Sequence, residues 1–333
     1  MSRYFAFAKE SSYGNPNTTA EMYLNAGKCT LDAPKDPTIE VPSFEETPSD
    51  LIKGLYSPSG DVELALDIHS ILPILYFTFG QYNFTEGATS SDPNIHEIWA
   101  AGCHKLPSFT SMVGKGDCGN TDEEFEHQFY GCVISKLSFE LSNGLASCTA
   151  GIQAQRDAPD DIKTNVDLEE ICPIAFHQAE TTLDNEDITA DTTSFKFDFD
   201  NGVKPEDGQV FGNIYPNELI SNGKVSTLST ELKYRGKKYL VKFWGGPDGP
   251  TKNIGYFDYH IDFTDMEGNT LQLYYPKCAF AETPTPIEGT DAIKTNVSLK
   301  VLKGEVTLND DTTKVRTSCL ATITSKDGAY ISA

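Results

Sequence analysis

The chain has 333 residues, with 49 Asp+Glu against 26 Lys+Arg and a formal net charge of −23. That length suits one large domain or two ordinary ones, and 38% hydrophobic with 11% aromatic residues lies outside the range of disordered chains. The acidity excludes a protein that holds nucleic acid by displacing counterions from phosphates, and arginine, the better phosphate clamp, occurs only at Arg3, Arg156, Arg235 and Arg316.

The opening Met1–Glu10 holds no apolar run of signal-peptide length. The longest apolar stretch, Ile71–Phe79, is too short to span a bilayer, so a soluble chain with no membrane partner is expected. Alternating Val/Ile/Thr/Phe/Tyr segments bounded by Gly, Asn, Asp and Pro recur throughout and predict a mainly β fold. One helix is expected near 69–79, from the stripe Ile71, Leu72, Leu75, Tyr76 and Phe79, with Pro73 in the first turn and Gly80 as its stop. Next, Phe129–Arg156 reads as a hairpin centred on Asn143-Gly144, the preferred centre of a type I′ turn. That register sets Phe139 opposite Cys148, Leu137 opposite Ala150 and Cys132 opposite Gln155. One face then carries Val133, Leu137, Phe139, Leu141, Cys148, Ala150, Ile152 and Ala154. The other carries Lys136, Ser138, Glu140, Ser142, Ser147, Thr149, Gln153 and Gln155.

The second half repeats this order. Val225–Tyr234 and then Lys238–Gly245 parallel Val62–Asp67 and Ile71–Gly80 as a strand before a short helix. Tyr256–Asp265 parallels Pro107–Gly114, and Leu271–Phe280 with Ala292–Leu302 parallels the two hairpin arms. Two tandem β domains, 1–165 and 166–333, are therefore expected, with one large sandwich as the alternative. The junction falls in the polar, proline-containing stretch Asp157–Asn165.

No catalytic constellation is found: there is no G-x-S-x-G, P-loop, H-E-x-x-H or G-x-G-x-x-G after a strand. The six histidines are isolated from one another along the chain, and the acidic clusters at 121–126, 184–187, 198–200 and 310–311 lack EF-hand spacing. No enzyme and no cofactor are expected. Eight dispersed cysteines form no C-x-x-C pair and read as buried free thiols, with disulfides or a Cys103/His104/Cys118/His127 metal site as alternatives.

Val62-Glu-Leu-Ala-Leu-Asp67 leading to Ile71–Gly80, then Leu106-Pro-Ser-Phe-Thr110, then Tyr130–Phe139 with its return strand resembles the tail tube (major tail) proteins of long-tailed bacterial or archaeal viruses. Tyr215–Gly223 before a Ser/Thr-rich strand, and Leu273–Cys278 before Pro284–Gly289 and a further strand, follow the same pattern. The resemblance covers roughly 60–303 and implies a tail-tube-type β-sandwich or barrel with a flanking helix. It implies rings of six such domains, from three two-domain chains or six chains, stacked into a hollow virion tail that conducts viral DNA.

The expected partners are further copies of the chain together with tape-measure, tail terminator and tail tip proteins, and DNA in transit without tight binding. The expected lumen is polar, acidic and non-sticking, faced by Lys136, Ser138, Glu140, Ser142, Ser147, Thr149, Gln153 and Gln155. Segments 87–97 and 114–124 read as insertions that reach the next ring. The rival reading is a monomeric β-sandwich module that binds carbohydrate through Trp99, Trp244, Tyr274 and Tyr275.

Overall fold

The computed structural model describes residues 3–35, 37–42, 47–89, 91–100, 102, 105–116, 124–168, 170–286 and 293–330. Strands β1 (Arg3–Lys9), β2 (Met22–Leu24), β3 (Ala26–Cys29), β4 (Thr38–Val41), β5 (Asp50–Lys53) and β6 (Ser59–Ala65) precede helix α1 (Ile68–Phe79). Then follow β7 (Gly80–Thr85), β8 (Asn94–Ala100), β9 (Phe109–Lys115), β10 (Phe125–Ser142), β11 (Ser147–Gln153) and β12 (Arg156–Asp160). The rest comprises β13 (Ala179–Leu183), β14 (Glu186–Asp187), β15 (Thr192–Asp200), β16 (Val225–Lys233), helix α2 (Lys238–Trp244), β17 (Phe257–Thr264), β18 (Thr270–Glu282), β19 (Lys294–Val301), β20 (Gly304–Thr307), β21 (Lys314–Thr317) and β22 (Leu320–Ser325). The fold is mainly β, as expected, and its named strand pairs are antiparallel.

Helix α1 forms where its apolar stripe predicts. Asp67 caps it by accepting the Ser70 N–H at 2.9 Å, and Gly80, at φ 88°, ends it by donating its N–H to the Tyr76 carbonyl. Pro73 lies in the second turn rather than the first. There its ring nitrogen cannot close the bond to the His69 carbonyl, a loss that burial of every helix residue except His69 and Tyr76 offsets.

The β10–β11 hairpin keeps the expected register from Lys136 to Glu140, with Phe139 opposite Cys148 and Leu137 opposite Ala150. Two corrections apply at its ends. The tip is not a type I′ turn, because only Asn143 takes positive φ and Leu145 instead bridges Ala175. At the other end a bulge at Ser135 shifts the ladder, so Ile134 faces Ile152 and Val133 faces Gln153. Val133 thereby leaves the core face for the polar one, where Leu106 and Leu219 cover it. Gln155 sits not opposite Cys132 but with its N–H on the Tyr130 carbonyl.

The same order of pairings occurs twice. The first set is β1–β2, β1–β9, β9–β10, β10–β11, β11–β6 and β3–β6. The second is β13–β14, β13–β17, β17–β18, β18–β19, β19–β16 and β15–β16. The irregularities recur as well. Phe109 pairs with Cys132 after an extra residue in β10, and Phe257 pairs with Cys278 after an extra residue in β18. Bulges skip Ser135 and Ala281, each before the next paired rung, and skip Gly27 and Thr193. Side chains alternate across a strand, so bulges at matching places aim matching residues at the core.

The halves meet along β10–β15, where Leu137 faces Phe199 and Phe139 faces Phe197. One apolar cluster runs across this seam. Phe139 stacks on Phe197 at 6.3 Å, Phe197 meets Tyr275 at 5.0 Å, and Phe79 meets Phe199 edge-on at 5.0 Å. Each such buried ring contributes roughly 1.5–3 kcal/mol.

Of segment 87–97, the described residues up to 93 lie in the largely exposed turn between β7 and β8, and 94–97 begin β8, which pairs with β22 of the same chain. Of segment 114–124, residues 117–123 lie outside the described residues. Two other segments protrude with exposed apolar residues, and each follows the corresponding strand of its set. The β4–β5 hairpin after β3 exposes Ile39, Leu51 and Ile52, and the stretch after β15 exposes Val210 and Phe211.

Candidate functional site

The eight residues expected on the polar face all come from β10, β11 and the residues just after β11. They belong to a sheet ordered β3–β6–β11–β10–β15–β16–β19–β18, which extends their face across both halves. Lys136, Glu140, Ser142 and Ser147 are exposed on it, and Ser138 and Thr149 are half-buried. Gln153 and Gln155 lie at its covered end. The Gln153 amide donates to Ser57 Oγ at 2.7 Å and to the Pro58 carbonyl at 3.0 Å, and that of Gln155 donates to the Pro216 carbonyl at 2.9 Å.

Charge on this face is mixed rather than acidic, because strand neighbours place lysines beside carboxylates. Lys28 Nζ lies 2.6 Å from Glu63, Lys136 3.6 Å from Asp200, Lys196 3.7 Å from Asp198 and Lys294 2.7 Å from Glu231. The Lys294 and Thr193 hydrogen bonds hold the Glu231 carboxyl below the usual range. Ser138 Oγ donates to Asp198 at 2.7 Å, across the seam between the halves.

Three buried polar groups fix the strands that carry the face. Asn201 donates its amide to the Thr78 carbonyl at 3.0 Å and to the Ile134 carbonyl at 2.9 Å, tying the end of α1 and the β10 bulge to the end of β15. Glu10 accepts the Gly131 N–H at 2.8 Å and the Thr110 hydroxyl at 3.0 Å. Gly131 bends β10 at φ 61°, and a Cβ there would meet Gln155 Cβ at 2.9 Å. Glu126, fully buried, accepts the Tyr4 hydroxyl at 2.6 Å and the Gln128 amide at 2.7 Å. Sequence reasoning missed all three, because partners lie 67 to 123 residues away for Asn201, 100 and 121 for Glu10 and, for the Tyr4 bond of Glu126, 122.

The other candidates are not drawn together. Among the described residues no group of His, Cys, Asp and Glu has metal-ligating geometry. Cys103, His104 and Cys118 lie outside the described residues, and His127 bonds Asp157 at 2.8 Å. Cys132, Cys148, Cys278 and Cys319 are buried free thiols whose pKa burial raises. Of the aromatic platform, Tyr275 is fully buried, and Trp99 and Tyr274 pack against Val306, Leu308 and Leu320.

No curated protein matches the chain. The family model described as "Phage tail tube protein" matches residues 2–301, a span that closes with the last residue of β19 and leaves β20 to β22 beyond it. A match over nine-tenths of a chain with this antiparallel architecture places the protein in the phage tail tube protein family.

Proposed function

We propose that the chain carries two tail-tube units, 1–165 and 166–333, and that three copies close a ring of six units which stacks into the hollow tail tube. The observation that carries this reading is the β10–β15 seam: two sets of strands with the same pairings and the same bulges are joined into one sheet with a continuous polar face. A chain that has already fused two units side by side needs half as many copies to close the ring.

The polar face turns to the lumen, with Lys136, Ser138, Glu140, Ser142, Ser147 and Thr149 along it and Gln153 and Gln155 at its covered end. Short hydroxyls, with Lys28, Lys136, Lys196 and Lys294 already engaged by carboxylates, let viral DNA slide without capture, because tight binding would require several lysines free to displace counterions. Stacking uses the β4–β5 hairpin and the Val210–Phe211 loop. A two-stranded hairpin that exposes Ile39, Leu51 and Ile52 gains stability by burying them against another ring. Tape-measure, tail terminator and tail tip proteins complete the virion tail, and synthesis takes place in the host cytoplasm.

The test is to concentrate the chain alone and examine it by negative-stain electron microscopy with mass measurement. Hollow rings or tubes, with a ring mass of three times 36.6 kDa rather than six times, are expected. A strictly monomeric chain that also fails to enter tails when supplied to tail-deficient virions would overturn the reading.

A further inference from the structure

The intrachain seam has two unpaired counterparts. β15 takes β10 along its outer edge, whereas β3, its counterpart in the first set, pairs only with β6 among the described residues. β10 takes β15 beyond its bulge, whereas among the described residues no strand lies along the outer side of Glu282 of β18 and the four residues after it.

Backbone direction fits the two edges to each other. Thr30 and Asp32 turn their backbone groups to β6, with Thr30 N–H on the Asp61 carbonyl at 2.8 Å and Asp32 N–H on the Ser59 carbonyl at 3.3 Å. Strand alternation then turns those of Leu31 and Ala33 away from β6, where local side chains hold them: the Ala33 N–H donates to the Asp32 carboxylate at 2.9 Å and Leu31 bonds the Cys29 thiol through its backbone, contacts that an incoming strand would replace. On the other edge, Pro284 accepts the Asn296 N–H at 3.1 Å, so Pro284 faces β19 while Thr283 and Thr285 face outward. The prolines at 284 and 286 remove N–H groups only on the β19 side, which ends the β18–β19 ladder early yet leaves the outer edge able to pair. Thr285 Oγ1 lies 3.4 Å from Thr295 Oγ1, the rung that matches Phe139 with Cys148 in the first set.

The space beneath the edges differs in the same sense. Between β13, β15 and β17, Leu141 of β10 together with Phe176 leaves a pocket of only about 130 Å³. The matching space between β1, β3 and β9 is an open groove of about 800 Å³, with Phe5, Leu24, Val113 and Phe125 in its walls.

From these matched edges we infer that the β3 edge and its groove receive the β18 end of a second copy of this chain, with Leu31 opposite Thr285 and Ala33 opposite Thr283. The inference rests on the reading of the chain as a tube subunit, and it assigns the lateral contact that the seam inside each chain already makes once. Three chains joined this way close a sheet with no free edge.

In that register Asp32 and Pro284 form the adjacent pair not linked by backbone hydrogen bonds, whose Cα atoms approach to about 4.5 Å, within disulfide range. The chain carrying Asp32→Cys and Pro284→Cys is assembled, oxidised and run on a denaturing gel without reductant, beside each single variant and the off-register pair Asp32→Cys with Thr283→Cys. Covalent species ending at three chains in the in-register double variant alone are expected. Tubes or rings that stay single chains on the gel overturn this edge assignment and leave the tube reading standing, whereas wild-type chain that forms no ring or tube and enters no tail overturns both. Should the double variant not assemble, amide exchange on the wild type decides: slowed exchange at Leu31, Ala33, Thr283 and Thr285 on assembly supports the contact, and unchanged exchange refutes it.

Discussion

Freeing the lysines of the polar face should turn a sliding surface into a gripping one. The variant Glu63→Gln, Asp198→Asn, Asp200→Asn and Glu231→Gln keeps side-chain shape but removes the carboxylates that hold Lys28, Lys196, Lys136 and Lys294. Four lysines per chain in a ring of three chains make twelve, and a duplex in the channel reaches only a fraction of them at once. Four phosphate contacts already give log K a slope of about −3.6 against log salt, or roughly a hundredfold loss of affinity between 50 and 200 mM. Exposed ion pairs add little to stability, so the variant should melt close to the wild type. The assay is fluorescence anisotropy of a short labelled duplex with assembled tubes across a salt series. Wild-type tubes should bind weakly with a shallow slope, and variant tubes tightly with a steep one. Equal affinities and equal slopes would show that this face does not meet DNA and would refute the lumen assignment.

Three further outcomes are expected. Ile39→Asp with Ile52→Asp should leave rings intact but stop their stacking, so sedimentation finds rings without tubes; tubes of normal length would remove the hairpin from the stacking contact. Asn201→Ala strands the Thr78 and Ile134 carbonyls in the interior and should cost about 1–3 kcal/mol in denaturant unfolding, with an unchanged midpoint counting against that role. Burial alone would lower the pKa of His69, but the Asp327 hydrogen bond and the charges of Asp327, Asp67 and Asp265 outweigh it and raise the value. A raised folded pKa means stabilisation that is full below the ordinary histidine value and lost as pH rises through the folded one. The protection of the 326–330 amides, taken relative to the intrinsic exchange rate at each pH, should therefore be greater near about pH 5.5 than near about pH 8, a difference that His69→Gln abolishes. Protection with the same pH dependence in both proteins would refute the link.

The sequence was legible where contacts are local. The apolar stripe and Gly80 located α1, and alternation located the hairpin arms and the core residues Leu137, Phe139, Cys148 and Ala150. Reading failed at Ser135, because one extra residue in a strand carries no compositional signal yet moves Val133 to the other face. The mixed charge of the polar face was hidden for a related reason. Net charge is a sum over the chain, whereas the lysines at 28, 136 and 294 meet their carboxylates only after strands distant in sequence align. The order of the second half was visible, but the seam was not, since β10 offers no sign that its outer edge will take β15 rather than end the sheet.

The pairing of β8 with β22 sets an order on the folding of each new chain. Ile98 lies opposite Ala321 and Asn94 opposite Ser325, so β8 has β7 on one side and nothing on the other until the last strand has left the ribosome. Contacts of such high sequence separation form late, and α1, which also packs on β22, completes its burial only then. A nascent chain thus holds an incomplete first half throughout synthesis of the second, and truncated chains keep a raw strand edge that favours aggregation over incorporation.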